Sequence, residues 1–454
     1  RNIGLNIIYM NLIFSNIKKK KLLFFKNKNI SNFFIKNSSS SILFKFGLFL
    51  LPTSFIFASC FLLISGFIEA FKSKKNYLED SWNYPLIIIG IFMIIAAFIN
   101  KYSESQFSNN ENWDSNLALL DLANWIPFFF LFWAFGNLLN TTKKRRDCAM
   151  YLISGSVPLI ISGFLQLLTS IHGPFETFNG LLIWYQREIQ RGAGVSAIFN
   201  NANYYASWLL IIWPFALANF LKKDKNKIKK TFNLILILAI SSSIALTRSR
   251  SAWGSIFLSI PMMLGTTSLI WLIPILVMIF SLIFLAVIPI NNDIQFIIQS
   301  IIPSQFWQEF SSEQFINSTR ELRINIWIEA FNLIGIRPYL GFGAGLFPLL
   351  YLSSTGSWVG HTHNIFIELA FNYGIFTSIT FLGFVIFILF KSYKKIYEKS
   401  PLKLDKKGNL FNKAWWISTI TIFITQLVDI QYYDGRISVA LWILLSGIRS
   451  ILLE

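Results

Sequence analysis

The sequence predicts an all-α, polytopic transmembrane helical bundle, on three observations. Of its 454 residues, 54% are hydrophobic, 17% aromatic and only 14% charged, whereas a soluble domain is usually about 25% charged. Phe and Ile fill continuous runs of about 17 to 25 residues, enough to cross a hydrocarbon core as helices. Lysines cluster in short loops beside those runs, as in KKDKNKIKK at 222–230, the placement that positive-inside topology produces. Continuous apolar runs exclude a β-barrel, whose strands alternate. The net charge of +18 follows from this loop placement, so no nucleic-acid partner is expected. Cys60 and Cys148 lie in or beside apolar segments. Two such cysteines make neither a disulfide framework nor a metal site, and both read as packing residues.

Residues 1–45 are basic and rich in Ser and Asn, with four lysines at 18–21. They read as a poorly ordered tail or an interfacial helix, and the opening does not read as a cleavable signal peptide. Residues 46–454 read as one transmembrane domain. The expected spans are 46–71, 84–100, 118–140, 148–170, 204–221, 231–247, 251–265, 267–290, 374–391, 414–430 and 436–452. Pro52 makes the first run either one tilted helix or two short ones. If it crosses once there are eleven spans; if twice, twelve. Placing the basic tail with the other basic loops favours twelve. The segments 101–116, 171–203, 247–251 and 291–373 then share the side opposite those loops. The last is expected to hold short helices and the catalytic groups.

Three polar clusters fall on that side. The first, 184–206, carries Arg187, Arg191, Asn200, Asn201 and Asn203 just before a span. A solvated loop with capping Asn explains it, and so does a ligand at the membrane surface. The second, TRSRSAW at 247–253, places Arg248 and Arg250 between two apolar runs. One can snorkel at a helix end; the other must point inward or toward an anion. The third begins with Arg320, Arg323 and Trp327, which share a helix face at spacings of three and four, and Pro338 should end that helix. GFGAG at 341–345 either brings backbone amides to a ligand or makes a tight turn. No strand is evident before it, as a dinucleotide fold would need. His361 and His363, in GHTHN, should begin the next helix. His-x-His can bind metal, but no third ligand is apparent in the sequence, so neither metal nor cofactor is expected.

These residue types suit one reaction. Arg stays charged and grips phosphate oxygens through a rigid fork. Several Arg at one membrane-edge cavity suit a diphosphate. A neutral His beside that anion can take a proton, since its unperturbed pKa is about 6.5. Fixed Arg charges can stabilise the departing diphosphate without a metal.

Four motifs carry a resemblance: G-x4-F-N-N-A-N-Y-Y-A (Gly194–Ala206), T-R-S-R-S-A-W (Thr247–Trp253), R-x3-W-x9-R-P-Y-L-G-F-G-A-G (Arg323–Gly345) and H-T-H-N-x3-E-L-x4-G (His361–Gly374). In that order, over about residues 180 to 375, the chain resembles the O-antigen ligase/O-antigen polymerase superfamily of bacterial membrane proteins. The resemblance implies a polytopic helical fold with a periplasmic active site in the inner membrane. It also implies metal-independent transfer of a glycan from an undecaprenyl-diphosphate carrier. Carried over by residue, Arg250 and Arg323 would grip the diphosphate and His363 would be the base. Arg191, with Arg248, Arg320 and His361, would line the substrate cavity. Asn203, Gly343 and Glu368 fall on family positions and read as structural support, with Asn203 and Gly343 placed at the substrate site. The partners implied are a lipid-linked oligosaccharide donor, a glycan, lipid-core or protein acceptor, and membrane lipids.

The rival reading is a membrane transporter or channel for an anion such as bicarbonate, to which some members of this family have been linked. It would need ionisable groups along a path through the bundle. The spans carry few, with Lys45 and Asp121 near edges.

Overall fold

Pro52 splits the first apolar run into two helices. The computed structural model describes residues 39–73, 76–102, 114–169, 171–189, 193–222, 226–287, 292–302, 307, 321–398 and 409–454. The first helix, α1 (Ser39–Leu50), starts inside the stretch expected to be tail, and residues 1–38 lie outside the described residues. α2 (Phe55–Lys72) folds back along α1 as an antiparallel partner. Ser65 Oγ donates to the Ser40 carbonyl at 2.8 Å, and Ser40 Oγ donates to Glu69. The connecting turn is fastened at the far end, where Trp184 Nε1 donates to the Thr53 carbonyl at 2.6 Å. Residues 41–71 therefore run out and back, as twelve segments require. α1 itself, with 12 residues, is about 18 Å long, shorter than the ~30 Å hydrocarbon core.

The path then alternates between two ends through α3 (Tyr84–Tyr102), α4 (Leu117–Ala134), α5 (Thr142–Leu168), α6 (Ala202–Leu221), α7 (Lys227–Leu246), α8 (Arg250–Leu264) and α9 (Leu269–Val287). After the long loop come α14 (Ile375–Tyr393), α15 (Asn409–Thr425) and α16 (Gly435–Leu453), leaving α10 to α13 for the loop itself. Nine helices among the described residues have the length and apolarity to cross a membrane. α1, α8 and α15 are shorter and complete the up-and-down path. α6 and α16 form its centre, where Trp208, Trp415 and Trp442 are fully buried. Outer helices expose apolar faces, as α3 does through Ile88, Ile91, Ile95 and Phe98, which suits lipid contact. Cys148 is buried as expected, but Cys60 is exposed on the outer face of α2.

The long loop contains α10 (Asn292–Ile301), α11 (Glu321–Ile336), α12 (Phe347–Thr355) and α13 (Ile365–Tyr373). α11 ends just before Pro338, as its ring requires. α11 to α13 share a small core of their own, including Ile326, Leu333, Phe347 and Phe371. One departure from the all-helical expectation lies in 171–203. There β1 (Phe175–Thr177) and β2 (Leu182–Trp184) pair antiparallel, Phe175 opposite Trp184.

Buried charges gather at the two ends. Glu69, Arg145, Lys413 and Arg449 lie at the end that carries the basic loops, where Arg145 pairs with Glu454 and Arg449 with Asp80. Asp121, Glu368 and Asp429 lie at the other end, around the long loop. No other charged residue is buried among the described residues.

Candidate active site

The site is assembled where the long loop meets the ends of α6, α8 and α15. His361 and His363 do not begin a helix as the sequence suggested. They precede α13, whose N-cap is Asn364, with its side chain accepting from the Phe366 and Ile367 amides. Asn364 stops the helix short of the histidines by capping it. His363 takes a left-handed φ of 56°, uncommon for a residue with a side chain. Its amide donates to His361 Nδ1 at 3.2 Å, and the two rings meet edge to face, centroids 4.2 Å apart.

Asp429, just past α15, accepts from His363 and from Asn203. Its Oδ1 lies 2.9 Å from His363 Nδ1, and its Oδ2 accepts from Asn203 Nδ2 at 3.0 Å. Nothing in the sequence reading singled Asp429 out. Burial alone would raise its pKa, but the His363 hydrogen bond and the charges of His363, His361 and Arg323 pull it below the usual carboxylate range. An ionised Asp429 accepting from Nδ1–H leaves His363 Nε2 as the free lone pair. His361 is pushed down to about 4, by burial first and by the charges of His363 and Arg323, with Asp429 opposing. His361 is therefore neutral near pH 7.

Arg323, in the first turn of α11, belongs to the same group. Burial lowers its pKa first, Asp429 raises it, and Arg250 lowers it again. Arg323 thus lies within electrostatic reach of Asp429, Arg250 and His361. α11 is held there by Trp327 Nε1, which donates to the Thr362 carbonyl at 2.9 Å. Buried Glu368 fixes the same loop from below, accepting from the Thr362 amide at 2.9 Å and from the Tyr433 hydroxyl at 2.8 Å. Arg250 is the first residue of α8 and lines an apolar groove of about 460 Å³ between α7, α8 and α9. Arg248 sits in the turn before it, with a φ of 56°.

Two residues expected at the substrate site are engaged otherwise. Asn203 spends its amide on Asp429. Gly343 gives its own amide to the Asn372 carbonyl at 3.1 Å, as Phe342 does to Phe371 at 2.7 Å. A Cβ at Gly343, φ 90°, would lie 3.1 Å from the Asn100 Cβ, and one at Gly341 would strike the Phe371 carbonyl at 2.3 Å. The glycines thus let this turn lie against α13 and α3, and those amides do not face a ligand. Arg191 and Arg320 lie outside the described residues.

His361, His363 and Asp429 also offer three donor atoms within 4.8 Å of one another. The third ligand that the sequence lacked near His-x-His is therefore supplied from 66 residues away.

Comparison with known proteins finds similarity to a family and to two relatives. The family model described as O-antigen ligase matches residues 234–382, a stretch that includes Arg248, Arg250, Arg323 and both histidines. The chain is 23% identical over 416 residues to a ComP-specific O-oligosaccharyltransferase of Acinetobacter baylyi, covering 87% of this chain and 67% of that protein. It is 24% identical over 387 residues to the teichuronic acid biosynthesis protein TuaE of Bacillus subtilis, covering 81% of this chain and 72% of the other. Residues 234–382 are therefore similar to the O-antigen ligase family, within a multi-pass helical membrane protein.

Proposed function

We propose that the protein transfers a glycan from an undecaprenyl-diphosphate carrier to an acceptor hydroxyl, at the periplasmic face of a bacterial inner membrane. One observation carries the reading: His363 is held by a buried carboxylate, with Arg323 beside the same carboxylate and Arg250 beside Arg323. Asp429 orients the imidazole so that Nε2 can take the acceptor proton. The acceptor oxygen then attacks the anomeric carbon as its bond to phosphate breaks. The diphosphate leaves with added negative charge, which the two guanidinium groups stabilise without reorganising. The apolar groove at Arg250 suits a prenyl chain whose head group reaches that guanidinium. The relative named as a ComP-specific O-oligosaccharyltransferase supports the reaction type, and the acceptor here is read as a glycan, a lipid core or a protein. Three donors in reach of one another also admit a metal, but the adjacent Arg charges oppose a cation, so acid–base chemistry is the better reading.

The location of buried charge weighs against anion transport. Such charges lie at the two ends of the bundle among the described residues, and a transport site is expected near the midplane. Deleting the gene and restoring either the wild type or His363→Ala tests the proposal. Surface glycans should lose attached long chains, or fall to single repeats, and only the wild type should restore them. Unchanged glycans with impaired carbon uptake would replace this reading by transport.

A further inference from the structure

Beside the imidazole pair lies a second cavity of about 470 Å³, walled by the β-hairpin and the first turns of α2, α6 and α16. Its size falls in the ~300–1,000 Å³ range of small-molecule sites. It shares no lining residue with the groove at Arg250. Tyr433 connects it to the reaction centre: its ring lies 6.1 Å from that of His361, and its hydroxyl is fixed on Glu368.

The lining is rich in aromatic side chains. Trp184, Tyr185, Tyr204 and Tyr433 face one space, and the Trp184 indole is pinned to the Thr53 carbonyl. Its charged groups are Asp434 and Arg436, and they cancel. Arg436 Nε and Nη2 both donate to Asp434, at 2.9 and 2.5 Å, while the guanidinium lies 3.6 Å over the Phe199 ring. The cavity thus offers negative π faces and a fixed, neutral set of donors and acceptors. An anion or a cation would find no unpaired charge in this lining. A pyranose ring fits both properties: its C–H face packs on an aromatic face, and its hydroxyls take hydrogen bonds at the edge. We propose that this cavity is a subsite for an uncharged pyranose unit of a glycan handled at His363. The inference rests on the transfer reading above and adds where, and what kind of, sugar is held.

The test uses the full chain in lipid nanodiscs, with saturation-transfer NMR of free glucose, galactose, N-acetylglucosamine and glucuronate. At least one neutral sugar should receive saturation at its ring protons, more than glucuronate does. Tyr185 and Ile56 are exposed on the cavity wall, so their substitution spares the core. Tyr185→Ala should weaken binding about tenfold, and Ile56→Trp, which fills the cavity, should abolish it. His363→Ala should leave the signal in place. A neutral-sugar signal absent from the wild type, or unmoved by both wall variants, would overturn the subsite. Glycan transfer surviving in His363→Ala would instead remove His363 as the base, and absence of transfer by the wild type would overturn the transfer reading, each while leaving the sugar signal intact. Displacement of the free sugar by undecaprenyl-diphosphate-linked N-acetylglucosamine, but not by undecaprenyl diphosphate, identifies the donor's sugar. Persistence in the presence of both identifies the acceptor's.

Discussion

His363 Nδ1 and Asp429 Oδ1 lie 2.9 Å apart across 66 residues of sequence. The carboxylate does two things for the imidazole: it selects the tautomer, and it stabilises the charge that appears when Nε2 takes a proton. Asp429→Asn preserves an acceptor oxygen but removes the charge. The expected outcome is a fall in kcat of about 10²-fold or more, the scale of general acid–base catalysis, with the KM for donor little changed. Steady-state transfer by the reconstituted protein measures it. A variant with unaltered kcat would remove Asp429 from the mechanism.

Arg323 is assigned to the diphosphate because it is half-buried beside Arg250 and Asp429. Lys in its place keeps the charge and loses the two-pronged geometry. Charge-assisted hydrogen bonds contribute about 1.5–3 kcal/mol each, so Arg323→Lys should weaken donor binding by about 10- to 100-fold. Equilibrium binding of a lipid-diphosphate donor reads this directly. Near-normal affinity would take Arg323 out of the donor site.

How much of this was legible in sequence depended on the distance over which each feature is decided. Pro52 marked a possible break in 41–71 locally, but the choice of two crossings over one rested on the charge of residues 1–45. The end of α11 before Pro338 was legible locally, from the proline ring. The pairing of His363 with Asp429 was not. Asp429 lies in QLVDIQ at the outer end of a span, where a lone carboxylate looks like any interfacial residue until the bundle closes. The left-handed φ of His363 is likewise set by its surroundings, through the His361 contact and the Asn364 cap. The GFGAG turn shows the converse: its glycines were conspicuous, but the close neighbours that require them are α13, α3 and the start of α4. The short β-hairpin left no mark that periodicity could detect, because three-residue strands are too short for alternation to show.

The donor atoms of His361, His363 and Asp429 are close enough for a divalent ion, and a chelator separates the two readings of this cluster. If acid–base chemistry operates, transfer should persist after exhaustive EDTA dialysis and remain unaffected by restoring Mg²⁺ or Mn²⁺. Activity lost to EDTA and recovered with one of these ions would mean that a metal takes part.

The neutral His361 gives stability a pH dependence whose sign can be worked out. Its pKa falls from 6.5 to about 4 on folding, chiefly by burial. Below pH 6.5 the unfolded chain takes up a proton that the folded chain refuses, so this contribution is present above 6.5 and is lost as pH falls toward 4. Asp429 acts in a lower window, since its unfolded carboxylate titrates near 3.8. Buried Glu368, whose pKa is raised mainly by burial, contributes with the opposite sign, gaining as pH falls. Comparing wild type with His361→Asn cancels both. Asn can still accept the His363 amide hydrogen bond, so the loop keeps that contact. Between pH 7 and pH 5 the thermal midpoint of the wild type in nanodiscs should drop more than that of His361→Asn. Equal drops in the two proteins would mean that His361 does not carry this dependence.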